Sequence, residues 1–142
     1  MGDCLFSSVS MLLPLSKEHS SQRLRDLAIA TMEKEPQFQD LVYDEGSLHA
    51  HLDKLKQPYT WGDTPEIAAM ALGLNRTIQV YLPVGEIQSH PSKDGTNDHK
   101  GPLRLAYIDR NHYQPLFEKD HTPLETGPKQ DWVRTDDDDD VE

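Results

Sequence analysis

The sequence contains one cysteine, Cys4, in a position suited to nucleophilic chemistry. It follows Gly2 and Asp3, which are typical of a turn, and it precedes apolar residues that recur three or four positions apart, beginning with Leu5 and Phe6. This pattern predicts a helix that begins at Cys4. The unpaired N–H groups at a helix N-terminus stabilise a thiolate, which is the reactive form of cysteine. The alternative is that Cys4 is simply a small buried residue of the core.

A second stretch, residues 109–116, favours the nucleophile interpretation because it supplies a base. A strand is predicted over 103–108, and a further strand over 112–117 follows a turn. His112 therefore begins a hairpin strand beside the turn. This is an exposed and rigidly held position for a general base.

The elements that must position these two residues predict an α+β fold. Helical spacing, good N-cap residues and proline or glycine stops predict helices after Asp3, after Ser20 or Ser21, after Ser47 and after Asp63 or Thr64. Strands are predicted over 77–82, 103–108 and 112–117, and residues 86–88 are compatible with a short edge strand. We expect a helical layer containing Cys4 to pack on a small, mainly antiparallel sheet that delivers His112 to the helix start.

Several other charged or titratable side chains are predicted to be solvated. Arg25 is expected to lie outside the apolar face of its helix. His49 and His51 lie two positions apart, which on a helix points them to different faces, so we expect surface histidines rather than a metal pair. His90 and His99 fall in a polar, turn-rich segment and are expected to be solvated loop residues.

Composition limits the partners and the compartment. The formal net charge is −11, which disfavours nucleic acid and anionic membranes and suits a basic protein or peptide. No apolar run approaches the roughly 20 residues that cross a bilayer. A single cysteine allows no internal disulfide, and no signal peptide is recognisable, so we expect a cytoplasmic location, with the nucleus as a further one.

Residues 1–118 are predicted to form one domain, and the acidic tail 119–142 is predicted to be disordered apart from a docked Trp132-Val133.

Three stretches in order make the chain resemble the ovarian tumour (OTU) family of papain-like cysteine proteases. The first is Gly-Asp-Cys-Leu-Phe at 2–6, similar to the family's nucleophile motif. The second is Trp-Gly-Asp at 61–63 with the following helix and the strand Ile-Gln-Val at 78–80, similar to the family's middle block. The third is Asn-His-Tyr at 111–113, similar to the histidine motif that closes the domain. The resemblance covers about residues 1–117 and implies a papain-like OTU fold.

The resemblance implies a deubiquitinating thiol hydrolase. Cys4 would form a thioester with the C-terminal glycine of ubiquitin, and His112 would act as general base and then general acid. Backbone N–H groups around Gly2 and Asp3 would hold the oxyanion, and the family's chemistry requires neither a metal nor an organic cofactor.

A third catalytic residue is implied by the same resemblance. Gln114 stands where the family often has an aspartate or asparagine that orients the histidine ring, and its amide oxygen is able to accept the imidazole N–H. Asn111 or Asp109 are alternatives for this role.

The implied partners are ubiquitin or polyubiquitin chains, or a ubiquitin-like modifier, bound by a monomer. Two alternatives remain open: an OTU-shaped ubiquitin-binding scaffold without turnover, and a papain-like hydrolase or transferase that acts on another acyl substrate. The presence of both Cys4 and His112 argues against the inactive scaffold, because a protein without turnover could lose either residue at no structural cost.

Overall fold

A computed structural model describes residues 3–41, 43–57, 60–108, 112–118 and 132–134. Within these ranges the four predicted α-helices are present: α1 (Cys4–Leu12), α2 (Ser21–Lys34), α3 (Leu48–Leu55) and α4 (Thr64–Leu74). Short 3-10 helices form at Lys17–His19, Pro36–Asp40 and Asp98–Lys100.

Local side-chain chemistry begins three of these helices where the sequence predicts. Ser20 Oγ accepts a hydrogen bond from the Arg23 N–H at the start of α2, and Ser47 Oγ accepts one from the Ala50 N–H at the start of α3. Asp63 caps α4 and forms a capping box with Glu66, whose Oε1 accepts from the Asp63 N–H at 2.7 Å. Each cap contributes about 1 kcal/mol to the stability of its helix.

The strands form one mixed sheet in the order β2-β1-β3-β4-β5 over the described residues. Their bounds are β1 (Ile78–Tyr81), β2 (Ile87–His90), β3 (Leu103–Tyr107), β4 (Tyr113–Glu118) and β5 (Trp132–Arg134). Only the β1–β3 pair is parallel among these, so the predicted mainly antiparallel sheet is confirmed, as are its three predicted strands and the short edge strand β2.

The helices cover the sheet through one apolar core. On α1 the fully buried side chains are Leu5, Phe6 and Val9, and this helix packs against β4 and against α2. The helix that begins at Cys4 is therefore held directly beside the strand that follows His112.

The acidic C-terminal segment is described in part. Trp132–Arg134 forms β5, which pairs antiparallel with Leu116–Glu118. Residues 119–131 and 135–142, on which the prediction of a disordered tail rests, lie outside the described residues. In the described part of the chain, no helix combines the length and apolarity that crossing a bilayer requires.

Candidate active site

Cys4 is the first residue of α1, as its sequence position predicts. Asp3 is the N-cap, and Cys4 is half-buried rather than enclosed in the core. The thiol therefore stands at the N-terminal end of a helix and at the surface of the fold, two conditions for a nucleophile.

The register of the β3–β4 hairpin brings β4 to this thiol. The Ile108 N–H donates to the His112 carbonyl at 2.8 Å, and Tyr107 is the next residue to pair, with Tyr113. Because backbone groups alternate in direction along an antiparallel pair, the N–H and carbonyl of Tyr113 point away from β3. They are used by α1: Ser8 Oγ donates to the Tyr113 carbonyl at 3.0 Å, and the Tyr113 backbone is hydrogen-bonded to the Cys4 thiol.

Two opposing effects set the ionisation of Cys4. Burial raises the pKa of the thiol, and this is the dominant effect. Hydrogen bonds from the backbone of Tyr113 and Leu5 lower the pKa, and the Asp3 carboxylate raises it. The net result is a pKa above the ordinary value, so the resting side chain is a thiol and needs a base to become a thiolate.

His112 and Gln114 lie on the same side of β4 because side chains two residues apart share a face of a strand. His112 is exposed, and its Nε2 lies 3.3 Å from Gln114 Nε2. Gln114 is buried, and among the described residues its Oε1 has no hydrogen-bond partner. The predicted pair is thus in contact, whereas Asp109 and Asn111 lie outside the described residues.

The middle block of the sequence packs against both elements. A Cβ atom at Gly62 would lie 2.6 Å from Leu5 Cδ2 and 3.1 Å from the Phe6 ring, so a larger residue here would require these buried side chains of α1 to shift. The neighbouring Asp63 accepts a hydrogen bond from the Tyr113 hydroxyl at 3.2 Å. Burial, and next the Asp63 charge, raise the pKa of Tyr113, so its hydroxyl remains a donor across the physiological range.

The predicted oxyanion residues are placed in part. Asp3 occupies the N-cap of α1, while Gly2 lies outside the described residues. The Asp3 carboxylate forms an ion pair with Arg25, whose Nη2 lies 2.7 Å from Asp3 Oδ1.

This ion pair corrects the prediction that Arg25 is solvated. The side chain is fully buried, because Arg25 shares the apolar face of α2 with Ala28, Ile29 and Met32. Their spacing of three, four and seven positions is the sequence signal that identifies this face.

His51 is the second correction, because it is not a surface histidine. Its Nδ1 lies 3.0 Å from Glu45 Oε1 and its Nε2 lies 2.6 Å from Glu66 Oε2, and its ring stacks on Tyr43 at 4.5 Å between centroids. Hydrogen bonding to Glu66 raises the pKa of His51. His51 falls three positions after Leu48 and four before Leu55, on the inner face of α3, and this spacing is the signal that predicts burial.

Comparison with known proteins identifies the family. A sequence model described as OTU-like cysteine protease matches residues 1–114, which include the thiol, the histidine and the glutamine. The chain belongs to the OTU-like cysteine protease family. Members of the OTU family are deubiquitinating cysteine proteases, and the predicted resemblance is confirmed.

Solved OTU structures confirm the fold. The OTUD1 OTU domain matches with a TM-score of 0.63 at 20% identity, covering 82% of this chain and 80% of that one. An OTU domain in complex with ubiquitin matches with a TM-score of 0.62 at 18% identity, covering 82% of this chain and 64% of that one.

A much longer curated relative is similar to this chain over a small part of its length. The UDP-N-acetylglucosamine transferase subunit ALG13 of Mus musculus is 27% identical over 117 residues, which are 82% of this chain and 10% of the relative. The present OTU domain thus spans about a tenth of the length of that relative.

Proposed function

We propose that this OTU domain is a cysteine protease that hydrolyses the peptide or isopeptide bond after the C-terminal glycine of ubiquitin. The observation that carries the proposal is the placement of the Cys4 thiol, at the first turn of α1, against the backbone of Tyr113, the residue after His112. This contact supports pairing the proposed nucleophile with the proposed base, because the residue bonded to the thiol directly follows His112. An acidic chain of net charge −11 suits the basic C-terminal tail of ubiquitin.

The proposed mechanism is acyl transfer through Cys4. His112 takes the thiol proton while Sγ attacks the glycine carbonyl carbon, and the same histidine then protonates the lysine amine as the C–N bond breaks. Water, deprotonated by His112, attacks the thioester and releases ubiquitin. Backbone N–H groups around Asp3 and Cys4 hold the oxyanion, each worth about 3 to 4 kcal/mol in the transition state.

The site is expected to operate in the cytoplasm or nucleus, where thiols stay reduced.

A mass measurement tests the proposal. The domain is incubated with ubiquitin that carries a C-terminal electrophile, beside the Cys4→Ala variant, and intact masses are recorded. We expect one adduct on the native domain and none on Cys4→Ala. A ubiquitin-like modifier with the same electrophile serves as the specificity control. An adduct with that modifier alone would show that the modifier, and not ubiquitin, is the substrate.

A second candidate is ubiquitin binding without turnover. The burial that raises the pKa of the Cys4 thiol favours it, because a protonated thiol is a poor nucleophile. In that case the folded domain would bind unmodified ubiquitin in a titration but form no adduct with the electrophile. This outcome contradicts the hydrolase proposal.

We further propose that Gln114 orients His112 by accepting its Nε2–H through the amide oxygen. A rotation of the Gln114 side-chain amide by 180° exchanges the positions of its oxygen and nitrogen. Gln114 Oε1, otherwise buried without a partner among the described residues, then faces His112 Nε2. Only this arrangement suits an imidazolium, because both ring nitrogens then carry protons.

The glutamine proposal predicts opposite results for two substitutions of similar shape. Gln114→Leu should lower kcat by up to about a hundredfold, since a misplaced base is this costly. Gln114→Glu keeps an acceptor and should retain most of the activity. Steady-state hydrolysis of a fluorogenic ubiquitin amide distinguishes them. Unchanged kcat in Gln114→Leu would transfer the orienting role to Asp109 or Asn111.

A further inference from the structure

We propose that Arg25 is a positioning residue for Cys4: it holds the Asp3 carboxylate away from the N-terminus of α1 and so keeps the N–H groups there available to the sulfur and the oxyanion. The oxyanion part of this inference rests on the proposed hydrolase function. The part that concerns the sulfur does not depend on the substrate.

The contacts of Arg25 give it one fixed position. Nη2 donates to Asp3 Oδ1 at 2.7 Å, and Nη1 donates to the carbonyl of Leu55, the last residue of α3, at 2.8 Å. The guanidinium carbon also lies 4.6 Å from the centre of the Phe6 ring. The cation on α2 therefore connects the end of α3 to the first turn of α1.

Burial of this arginine indicates a role beyond packing. Arg25 is 0% exposed, and a buried charge loses its hydration, so an apolar side chain of similar volume would fill the same space at lower cost. The side chain of its partner Asp3 is 46% exposed. The buried guanidinium is therefore bonded to a half-exposed carboxylate of the residue directly before Cys4.

The N-cap of α1 differs from those of the other three described α-helices. Ser20, Ser47 and Asp63 each accept a hydrogen bond from a backbone N–H in the first turn of their own helix. Asp3 is an equally good capping residue, yet within the described chain its carboxylate makes no such bond. It is bonded to Arg25 instead.

This diversion has an electrostatic consequence for the thiol. The Leu5 backbone N–H lowers the pKa of Cys4, while the Asp3 charge raises it. Without Arg25 the carboxylate would be free to cap the helix, where it would compete for these N–H groups and place an uncompensated negative charge beside the sulfur. Arg25 neutralises that charge and removes the competitor.

The rate of iodoacetamide alkylation of Cys4 as a function of pH tests the inference on the native domain and on Arg25→Met, Asp3→Asn and the double variant. Arg25→Met should raise the midpoint, the pH at which alkylation reaches half of its maximal rate, and it should slow alkylation at pH 7 by about tenfold. The reason is that an uncompensated negative charge raises the pKa of a neighbouring thiol by about 1 or more. Asp3→Asn alone should not raise the midpoint. The double variant should return it towards the native value, because the offending carboxylate is gone.

The reversal is the decisive readout, because a purely structural arginine would leave Arg25→Met and the double variant with the same midpoint. That result, or an unchanged midpoint in folded Arg25→Met, overturns the inference. Arg23→Met is the matched control, since this exposed arginine of the same helix pairs with Glu18 at 3.0 Å. If circular dichroism shows Arg25→Met to be unfolded, Arg25→Gln replaces it. Glutamine keeps a hydrogen-bond donor in the core but removes the charge, and the same reversal by Asp3→Asn is required.

Alkylation involves no ubiquitin, so its result is independent of the proposed function. If the hydrolase proposal holds, Arg25→Met should also lower kcat more than it changes KM, and Asp3→Asn should restore part of the loss. An altered alkylation profile in a domain that forms no ubiquitin adduct would support the positioning role and reject only the reaction.

Discussion

The variant His112→Ala should hydrolyse a fluorogenic ubiquitin amide about 10³-fold more slowly than the native domain, within the range that general acid–base catalysis contributes. The reason is specific to this site. Burial raises the pKa of the Cys4 thiol, so at neutral pH little thiolate forms without a base to take the proton.

The pH dependence of this variant provides a second readout. The residual activity of His112→Ala should keep rising with pH as Cys4 ionises without assistance, so the ratio of native to variant activity should fall as the pH increases. His112 is exposed, so the free energy of unfolding should change by no more than about 0.5 kcal/mol.

His99→Ala is the matched control because His99, in the 3-10 helix Asp98–Lys100, is also an exposed histidine, and it should retain native kinetics. Activity of His112→Ala within tenfold of the native value would remove His112 from the proposed mechanism.

The largest stability effect is expected at His51. His51→Ala should lower the free energy of unfolding by about 2 to 4 kcal/mol near pH 6, since it leaves buried carboxylate oxygens without their charged partner. Glu66 is fully buried, and its Oε2 lies 2.6 Å from His51 Nε2. Urea unfolding at constant ionic strength measures the difference.

His49→Ala is the matched control for this measurement. His49 lies on the same helix two positions earlier, its side chain is 89% exposed, and its contact with Asp53 at 3.4 Å is a surface pair worth less than about 0.5 kcal/mol. Equal destabilisation by the two variants would contradict the proposed contribution of the buried cluster.

The stability that His51 contributes should depend on pH in a defined direction. Its folded pKa lies above the ordinary 6.5, so the contribution is complete below pH 6.5 and is lost as the pH rises through the folded value. The pKa of Glu45 is lowered from 4.5, so its contribution is present above pH 4.5 and is lost as the pH falls through the folded value.

The difference between the native domain and His51→Ala should therefore be largest between about pH 4.5 and 6.5 and should shrink towards pH 9. A neutral imidazole donates only one N–H and cannot serve both carboxylates. A difference that grows with alkaline pH would refute this account.

Local features of the sequence predict most of the fold. Apolar spacing after Cys4 identifies α1, Ser47 and Asp63 identify helix starts, and alternation identifies β1. These predictions succeed because a helix or strand buries one face, and because a cap bonds backbone groups only two or three residues away.

The sequence also pairs Cys4 with His112 through the family resemblance, but the contact between their elements is non-local. Whether the Tyr113 backbone reaches α1 depends on the register of the β3–β4 hairpin, since a shift by one residue would turn those groups towards β3.

The sequence by itself therefore determined the elements, their order, the family and the two residues proposed for acyl transfer. Only the tertiary structure decided the roles of Arg25 and His51, which were expected to be solvated. A charged side chain is buried when partners from other elements meet it, as Asp3 meets Arg25 and Glu66 meets His51. Those partners lie 22 and 15 positions away in the sequence, so the spacing of residues within one helix does not predict them. Only the packing of different elements brings each charged side chain to its buried partner.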